Sequence, residues 1–283
     1  MGSTNRFKNH FRRTILEAKT EMRKLTVIKI GGNIIDNPDQ LNNFLNNFSA
    51  INGSKILIHG GGKIATKLAS DLGIKATLID GRRVTDKETL DIVTMVYAGL
   101  INKNVVAALQ SYGNNAIGLS GADGNCIKAI KRPVKTVDYG WVGDLLENSV
   151  NSESLIAFLN ADFIPVFSAI THDGQGQLLN TNADTIASSI AVALSSHFET
   201  SLIYCFEKKG VLRDVNDDSS VVSEIKEKDF IPLQQDGTIT DGMIPKLHNA
   251  FDAINKGVKE VLIGQASDLP LLKDNKFGSR ILK

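Results

Sequence analysis

Short apolar runs recur along the chain, at 27–30, 56–58, 76–79, 116–119, 163–167, 202–206 and 261–263. Several are rich in Val and Ile, and several end at Gly or Ser, which is the composition and punctuation of strands. Longer segments with helical spacing separate most of them. Thr85-Asp86-Lys87-Glu88 reads as a capping box with Thr85 as N-cap, because its hydroxyl and the Glu88 carboxylate can each satisfy a free backbone donor. Leu90, Val93, Thr94, Val96 and Tyr97 then give the helix one mostly apolar face. Strands alternating with helices predict an α/β fold, a three-layer αβα sandwich around a largely parallel central sheet. Open sheets of this kind take ligands beyond the carboxyl ends of their strands, so chemistry is expected in the loops that follow the runs. No internal repeat is visible. Residues 213–220, rich in Asp, Asn and Ser, read as a surface loop.

Composition narrows the function. The chain has 283 residues, 42% of them hydrophobic, enough for one large domain or two lobes sharing a sheet. A net charge of +1 argues against a general nucleic-acid binder. No apolar run approaches the roughly 20 residues that cross a membrane. Cys126 and Cys205 are far apart and outside any CxxC pair, so neither a zinc site nor a disulfide framework is expected. They read as buried, reduced cysteines of a cytoplasmic protein. Residues 2–21 are basic and polar, and lack the apolar core of a secretory signal. The Phe7/Phe11 and Phe11/Ile15 spacings suit a short amphipathic helix. The same stretch reads equally as an expression scar, or as sequence upstream of a natural start at Met22.

Two glycine-rich loops carry the first chemical signal. Val27-Ile28-Lys29-Ile30-Gly31-Gly32-Asn33 puts a lysine inside a strand, two residues before a glycine pair. Ile56-Leu57-Ile58-His59-Gly60-Gly61-Gly62-Lys63 ends a strand with three glycines and enters a helix. Such turns let backbone N–H groups approach an anion, and a helix N-terminus adds partial positive charge. Each loop alone is also what a tight strand–helix turn looks like; the pair points more strongly to phosphate. Neither GxxxxGK[ST] nor a GxGxxG opening a helix is present, so phosphate binding uses another design.

Lys29 within an apolar strand needs anionic partners or an exit to solvent, and taken alone a solvated lysine explains it. Lys246 follows Thr240-Asp241-Gly242-Met243-Ile244-Pro245 and opens a helical segment, where a cation opposes the helix dipole unless an anion sits there. Asn180-Thr181-Asn182-Ala183-Asp184 precedes a long apolar helix, with Asn182 as N-cap and Asp184 in the first turn. Capping accounts for that segment, and function is compatible with it.

In order and spacing these segments resemble the amino acid kinase family, and within it the kinases of N-acetylglutamate. The segments are Ile28-Lys29-Ile30-Gly31-Gly32, His59-Gly60-Gly61-Gly62, Gly81-Arg82-Arg83-Val84-Thr85, Asn180-Thr181-Asn182-Ala183-Asp184, 239–246 and Gly278-Ser279-Arg280-Ile281. The resemblance spans roughly residues 27–282. It implies an extension at 1–24 and a kinase domain at 25–283. An N-lobe of about 25–180 would bind the acylglutamate, and a C-lobe of about 181–283 would bind ATP. The implied reaction transfers the γ-phosphoryl of ATP, with Mg2+ carried mainly on the nucleotide phosphates, to the γ-carboxylate of N-acetyl-L-glutamate in arginine biosynthesis. By the same resemblance Lys29 and Lys246 stabilise the transferring group and Asp184 holds both ammonium groups. Gly31, Gly32, Gly61 and Gly62 supply N–H donors. Arg83 pairs with the substrate α-carboxylate, and Asn180 and Asn182 lie at the acyl amino acid. Glu207, Lys209, Gly210 and Thr240 lie at the nucleotide. No protein-held metal, nucleic acid or membrane is implied, and a homodimer is. His59 and Cys126 receive no role.

The chain departs from the family at three places. The nucleotide loop, usually like Thr-Asp-Val-Pro-Gly-Val-Leu, reads Phe206-Glu207-Lys208-Lys209-Gly210-Val211-Leu212. Arg82 stands where a neutral residue is common, and 195–201 looks a few residues long. Arg82 opens a second reading, in which N-succinyl-L-glutamate is the substrate and its extra carboxylate pairs with that arginine. A third is a ligand sensor that has lost catalysis. The C-terminal segment resembles arginine-insensitive members, whereas an N-terminal extension resembles the inhibited, hexameric ones.

Overall fold

Six of the seven apolar runs, all but 76–79, become strands of one sheet. The computed structural model describes residues 22–79, 82–235, 237–239 and 243–283. The amphipathic spacing at 2–21 and Thr240 therefore lie outside the described residues. The first half of the chain gives β1 (Lys24–Ile30), α1 (Gly32–Ile35), α2 (Pro38–Ser49), β2 (Ser54–His59), α3 (Gly62–Asp71), β3 (Leu78–Ile79), β4 (Arg82–Arg83), α4 (Lys87–Val93), α5 (Asn102–Ser111) and β5 (Ala116–Leu119). Then follow β6 (Ile130–Lys131), β7 (Val142–Asp144), α6 (Ser152–Asn160), β8 (Ile164–Ser168), β9 (Ile170–His172), β10 (Leu178–Thr181), α7 (Ala183–Leu194) and β11 (Glu199–Phe206). The chain closes with β12 (Glu224–Lys226), α8 (Phe230–Gln235), α9 (Ile244–Asn255), β13 (Glu260–Gln265) and β14 (Ser279–Leu282).

The main sheet has the order β12-β14-β13-β11-β1-β2-β8-β5. Every neighbouring pair is parallel except β13 with β14. Helices α6, α7 and α9 form one layer, and α2 and α5 lie in the other with the 266–274 turn segment. Val27, Ile28 and Ile30 of β1 are all buried, as expected of a central parallel strand covered on both faces. This is the αβα sandwich that the alternation predicts. A smaller sheet, β6-β7-β10-β9, adjoins it.

Two expectations are corrected. The run at 76–79 does not join the main sheet: Leu78 and Ile79 pair with Arg83 and Arg82 in a two-stranded ribbon, and Leu78 is exposed. The N-cap of α4 is Asp86 rather than Thr85. Its carboxylate accepts the N–H of Thr89 at 2.8 Å, and hydrogen bonding to Thr89 holds its pKa below the usual value. Thr85 is fully buried and spends its hydroxyl elsewhere.

A π-helical stretch, Thr94–Ile101, joins α4 to α5, so that Lys87–Ser111 runs as one helix of 25 residues. By length and composition this helix could cross a membrane, unlike the runs read one by one. Leu90, Val93, Val96, Ile101, Val105 and Leu109 are instead buried in the core of the domain. Residues 213–219 are exposed, as read from their composition.

Candidate active site

Register brings the carboxyl ends of three strands together. Ile30 of β1 pairs with His59 of β2 and with Cys205 of β11, so Gly31, Gly60 and Phe206 emerge side by side. The two glycine loops touch: a Cβ on Gly32 would lie 2.9 Å from the Gly62 Cα. Gly62 has a φ of +41°, a backbone state that suits glycine. Only residues without side chains allow two anion cradles to pack at this distance.

Lys29 precedes the first cradle and is nearly buried. Its Nζ lies 2.7 Å from Oδ1 of Asp184, so the strand lysine has the anionic partner it requires. Asp184 sits in the first turn of α7, which Asn182 caps by accepting the Thr185 N–H at 3.0 Å. The Tyr204 hydroxyl donates to the Asp184 carbonyl at 3.2 Å and fixes that turn. Lys246 enters from α9. Burial lowers its pKa and nearby Lys29 adds to this, while Asp184 and Glu207 oppose the shift. Both ammonium groups lie over the Phe206 ring, Lys246 at 3.8 Å from the centroid and Lys29 at 5.3 Å. Among the described residues the result is a pair of ammonium groups about the ion-paired Asp184, with Glu207 nearby, a cationic focus suited to a polyanion.

The second cradle leads to Arg83. Its Nη2 donates to the Thr66 hydroxyl at 2.7 Å, and its charge acts on the nearby Tyr97 hydroxyl. Burial raises the Tyr97 pKa, so the phenol stays neutral. Asn180 donates to the Thr85 hydroxyl at 3.0 Å, and that hydroxyl donates to the Arg83 carbonyl at 3.1 Å. One chain of bonds thus joins Asn180 to Arg83. Arg82, its neighbour on β4, is exposed, and alternation along a strand turns it to the other face. That alternation sets the two guanidinium groups on opposite faces of the ribbon.

Several expected site residues have other work. The Gly31 N–H donates to the Cys205 carbonyl at 3.2 Å and is not free for a ligand. Glu207 accepts from the Asn33 amide and links the nucleotide loop to the first glycine loop. Lys208 turns outward to the Val215 carbonyl at 3.2 Å and to Asp218 at 3.6 Å. Lys209 lines a groove of about 1100 Å³ with Thr26 and Ile203, on the sheet face opposite Lys29. Gly210 packs so closely that a Cβ would meet the Ser279 hydroxyl at 2.7 Å.

Other residues belong to the site without a sequence signal for them. Asp36 accepts the Lys63 N–H at 3.1 Å and occupies the N-terminus of α3, where an outside anion was expected. His59 is fully buried, and burial lowers its pKa to about 4. Its neutral ring donates from Nδ1 to the Gly60 carbonyl at 2.8 Å and accepts the Asn102 amide at Nε2, at 3.1 Å. It therefore braces the glycine loop. Tyr97 read as one more apolar helix position, yet its ring lies against Gly61. Cys126 and Cys205 are buried, and burial pushes their thiols up to about 11 and about 12, which disfavours the thiolates.

Comparison with known proteins agrees with this geometry. The amino acid kinase family matches residues 24–265. The acetylglutamate kinase of Bacteroides thetaiotaomicron is 56% identical over 260 residues, covering 92% of this chain and 99% of its own length. The crystal structure of N-acetylglutamate synthase from Neisseria gonorrhoeae, complexed with coenzyme A and N-acetyl-glutamate, superposes with a TM-score of 0.76 at 22% identity. It covers 98% of this chain and 63% of that one. Carbamate kinase from Giardia lamblia, bound to AMP-PNP, gives a TM-score of 0.66 at 14% identity, over 93% and 99% of the two chains. These two structures share the fold. With a family match over most of its length, and a lysine pair about one aspartate beside two glycine cradles, the chain belongs to the amino acid kinase family.

Proposed function

We infer that this protein transfers the γ-phosphoryl group of ATP to the side-chain carboxylate of N-acetyl-L-glutamate, giving an acyl phosphate in arginine biosynthesis. The observation that carries the mechanism is the Lys29–Asp184 pair with Lys246 beside it, at the mouth of two glycine loops. The name and identity of the Bacteroides relative carry the substrate.

A carboxylate with a reference pKa of about 4.3 is already ionised at neutral pH, so no general base is needed. One carboxylate oxygen attacks the γ-phosphorus, the bond to the bridging oxygen breaks, and ADP leaves; no proton moves. The difficulty is aligning two anions and relieving their repulsion. Lys29 and Lys246 supply the opposing charge, and Asp184 keeps both ammonium groups aimed. Gly32, Gly61 and Gly62 offer N–H groups to the phosphoryl oxygens and the reacting carboxylate. The residues about 25–180 hold the acylglutamate, with Arg83 on the α-carboxylate and Asn180 near the acyl amide. The residues about 181–283 hold the nucleotide, with Glu207 and Gly210 beside it. Magnesium bound with the nucleotide phosphates would neutralise charge that the two lysines leave uncovered.

The test is ADP release with ATP, magnesium and N-acetylglutamate, with hydroxylamine trapping the acyl phosphate as a hydroxamate. Stoichiometric ADP and hydroxamate are expected. N-succinylglutamate runs alongside, and with Arg82 turned outward it is expected to be no better. ADP release that ignores the acylglutamate would sink the reading. Arg83→Lys is expected to raise KM for the acylglutamate about tenfold with kcat nearly unchanged, because a point charge replaces a planar fork. An unchanged KM removes Arg83 from the α-carboxylate.

We also place the enzyme in the cytoplasm as a homodimer insensitive to arginine. Met95 and Leu100, exposed along the long helix, offer an apolar stripe for a second copy. Light scattering is expected to give twice the chain mass, with activity steady in millimolar arginine. A hexamer, or inhibition, overturns this.

A further inference from the structure

We propose that Phe206 is a positioning residue for phosphoryl transfer, its aromatic face holding the ammonium groups of Lys29 and Lys246 together beside Asp184. The proposal rests on the kinase reading above. Phe206 is the last residue of β11, where the chain departs from the usual nucleotide loop. Side chains two apart share a strand face. Tyr204 and Phe206 accordingly stack, with ring centroids 6.1 Å apart and planes inclined by 19°. Lys29 on β1 pairs in register with Tyr204, which brings its side chain onto this aromatic shelf. Lys246 reaches the same ring from α9. Both nitrogens lie within the roughly 6 Å at which a ring face attracts a cation.

The arrangement answers an electrostatic problem. Two ammonium groups gather beside Asp184, with Glu207 a weaker attraction on Lys246, and burial raises the cost of keeping both charged. A further carboxylate paired directly with Lys246 would add attraction but would repel the incoming phosphates. An aromatic face stabilises cations through its quadrupole and adds no formal negative charge. It also binds an ammonium less strongly than a phosphate does, so it holds the lysines without competing for them.

Phe206→Leu is expected to lower kcat about tenfold, with KM for both substrates changed less than threefold. Phe206→Tyr keeps a ring and is expected within threefold of the parent. Phenylalanines of increasing fluorination at position 206 keep the shape, and so the fold, while weakening the ring's negative face. Across that series kcat should fall stepwise. The alkaline limb of the kcat profile should move to lower pH, because losing the ring disfavours the charged ammonium. Acetic anhydride labelling of Lys246 at pH 8, read by mass spectrometry, should rise in the same order, and this readout needs no turnover. A flat kcat and flat labelling through the fluorinated series overturn the proposal. If the parent protein fails to phosphorylate N-acetylglutamate, the kinase reading falls, and the labelling series alone decides whether the ring holds Lys246.

Discussion

Lys29→Ala and Lys246→Ala should each lower kcat by about 10²–10³-fold while the protein stays folded. That is the scale seen when one preorganised donor to a developing charge is removed from a desolvated site. Lys29 sits 2.7 Å from Asp184, and Lys246 is held on the Phe206 ring, so neither needs to reorganise far to meet a phosphoryl group. The folding cost should differ between the two. Lys246 carries charge that burial opposes, so its removal should leave the thermal midpoint nearly unchanged. Removing Lys29 strips Asp184 of its ion pair, and a drop of a few degrees is expected. Turnover by ADP release and midpoints by calorimetry check both statements. Turnover within threefold of the parent for either variant takes that lysine out of the mechanism.

Gly61→Ala should reduce kcat/KM for the acylglutamate by more than 100-fold. A Cβ there would fall 1.9 Å from the Tyr97 Cδ1, well inside contact distance, and Tyr97 sits in a packed helix that cannot retreat. The loop has to move instead. A displacement of about 1 Å at a positioning element costs on the order of 100-fold. Tyr97→Leu on the Gly61→Ala background should recover part of the loss, although by itself Tyr97→Leu loosens Arg83 and raises KM. A double variant no better than Gly61→Ala would mean that the glycine serves something other than clearance from the ring. Steady-state kinetics on the three proteins decides it.

Much of this site could be read along the chain because the relevant signals are local. Asn182 and Asp184 are a cap and a first-turn acid, and the capping bond and the Lys29 partner are both present. The glycine pairs mark turns that side chains would block, and the Gly32–Gly62 contact gives the reason. The errors are also physical. Thr85-Asp86-Lys87-Glu88 offers two candidate caps one residue apart, and the part-buried bond from Asn180 to Thr85 chooses Asp86 by occupying Thr85. Gly31 looks like a free donor until β11 pairs with β1 and its Cys205 carbonyl takes the N–H.

By itself the sequence determined six strands of the main sheet, the αβα class, and which lysines and which aspartate carry charge near glycine turns. Those follow from periodicity and from backbone chemistry within a few residues. Only the tertiary structure decided which distant groups meet. Parallel pairing of β1 with β2 and β11 brings residues 31, 60 and 206 to one edge. That pairing sets Phe206 under two lysines more than 200 positions apart and presses Tyr97 onto Gly61. It also turns His59 into a neutral brace. Such contacts depend on register and packing across elements, and an apolar residue awaiting a cation looks, along the chain, like any other core position.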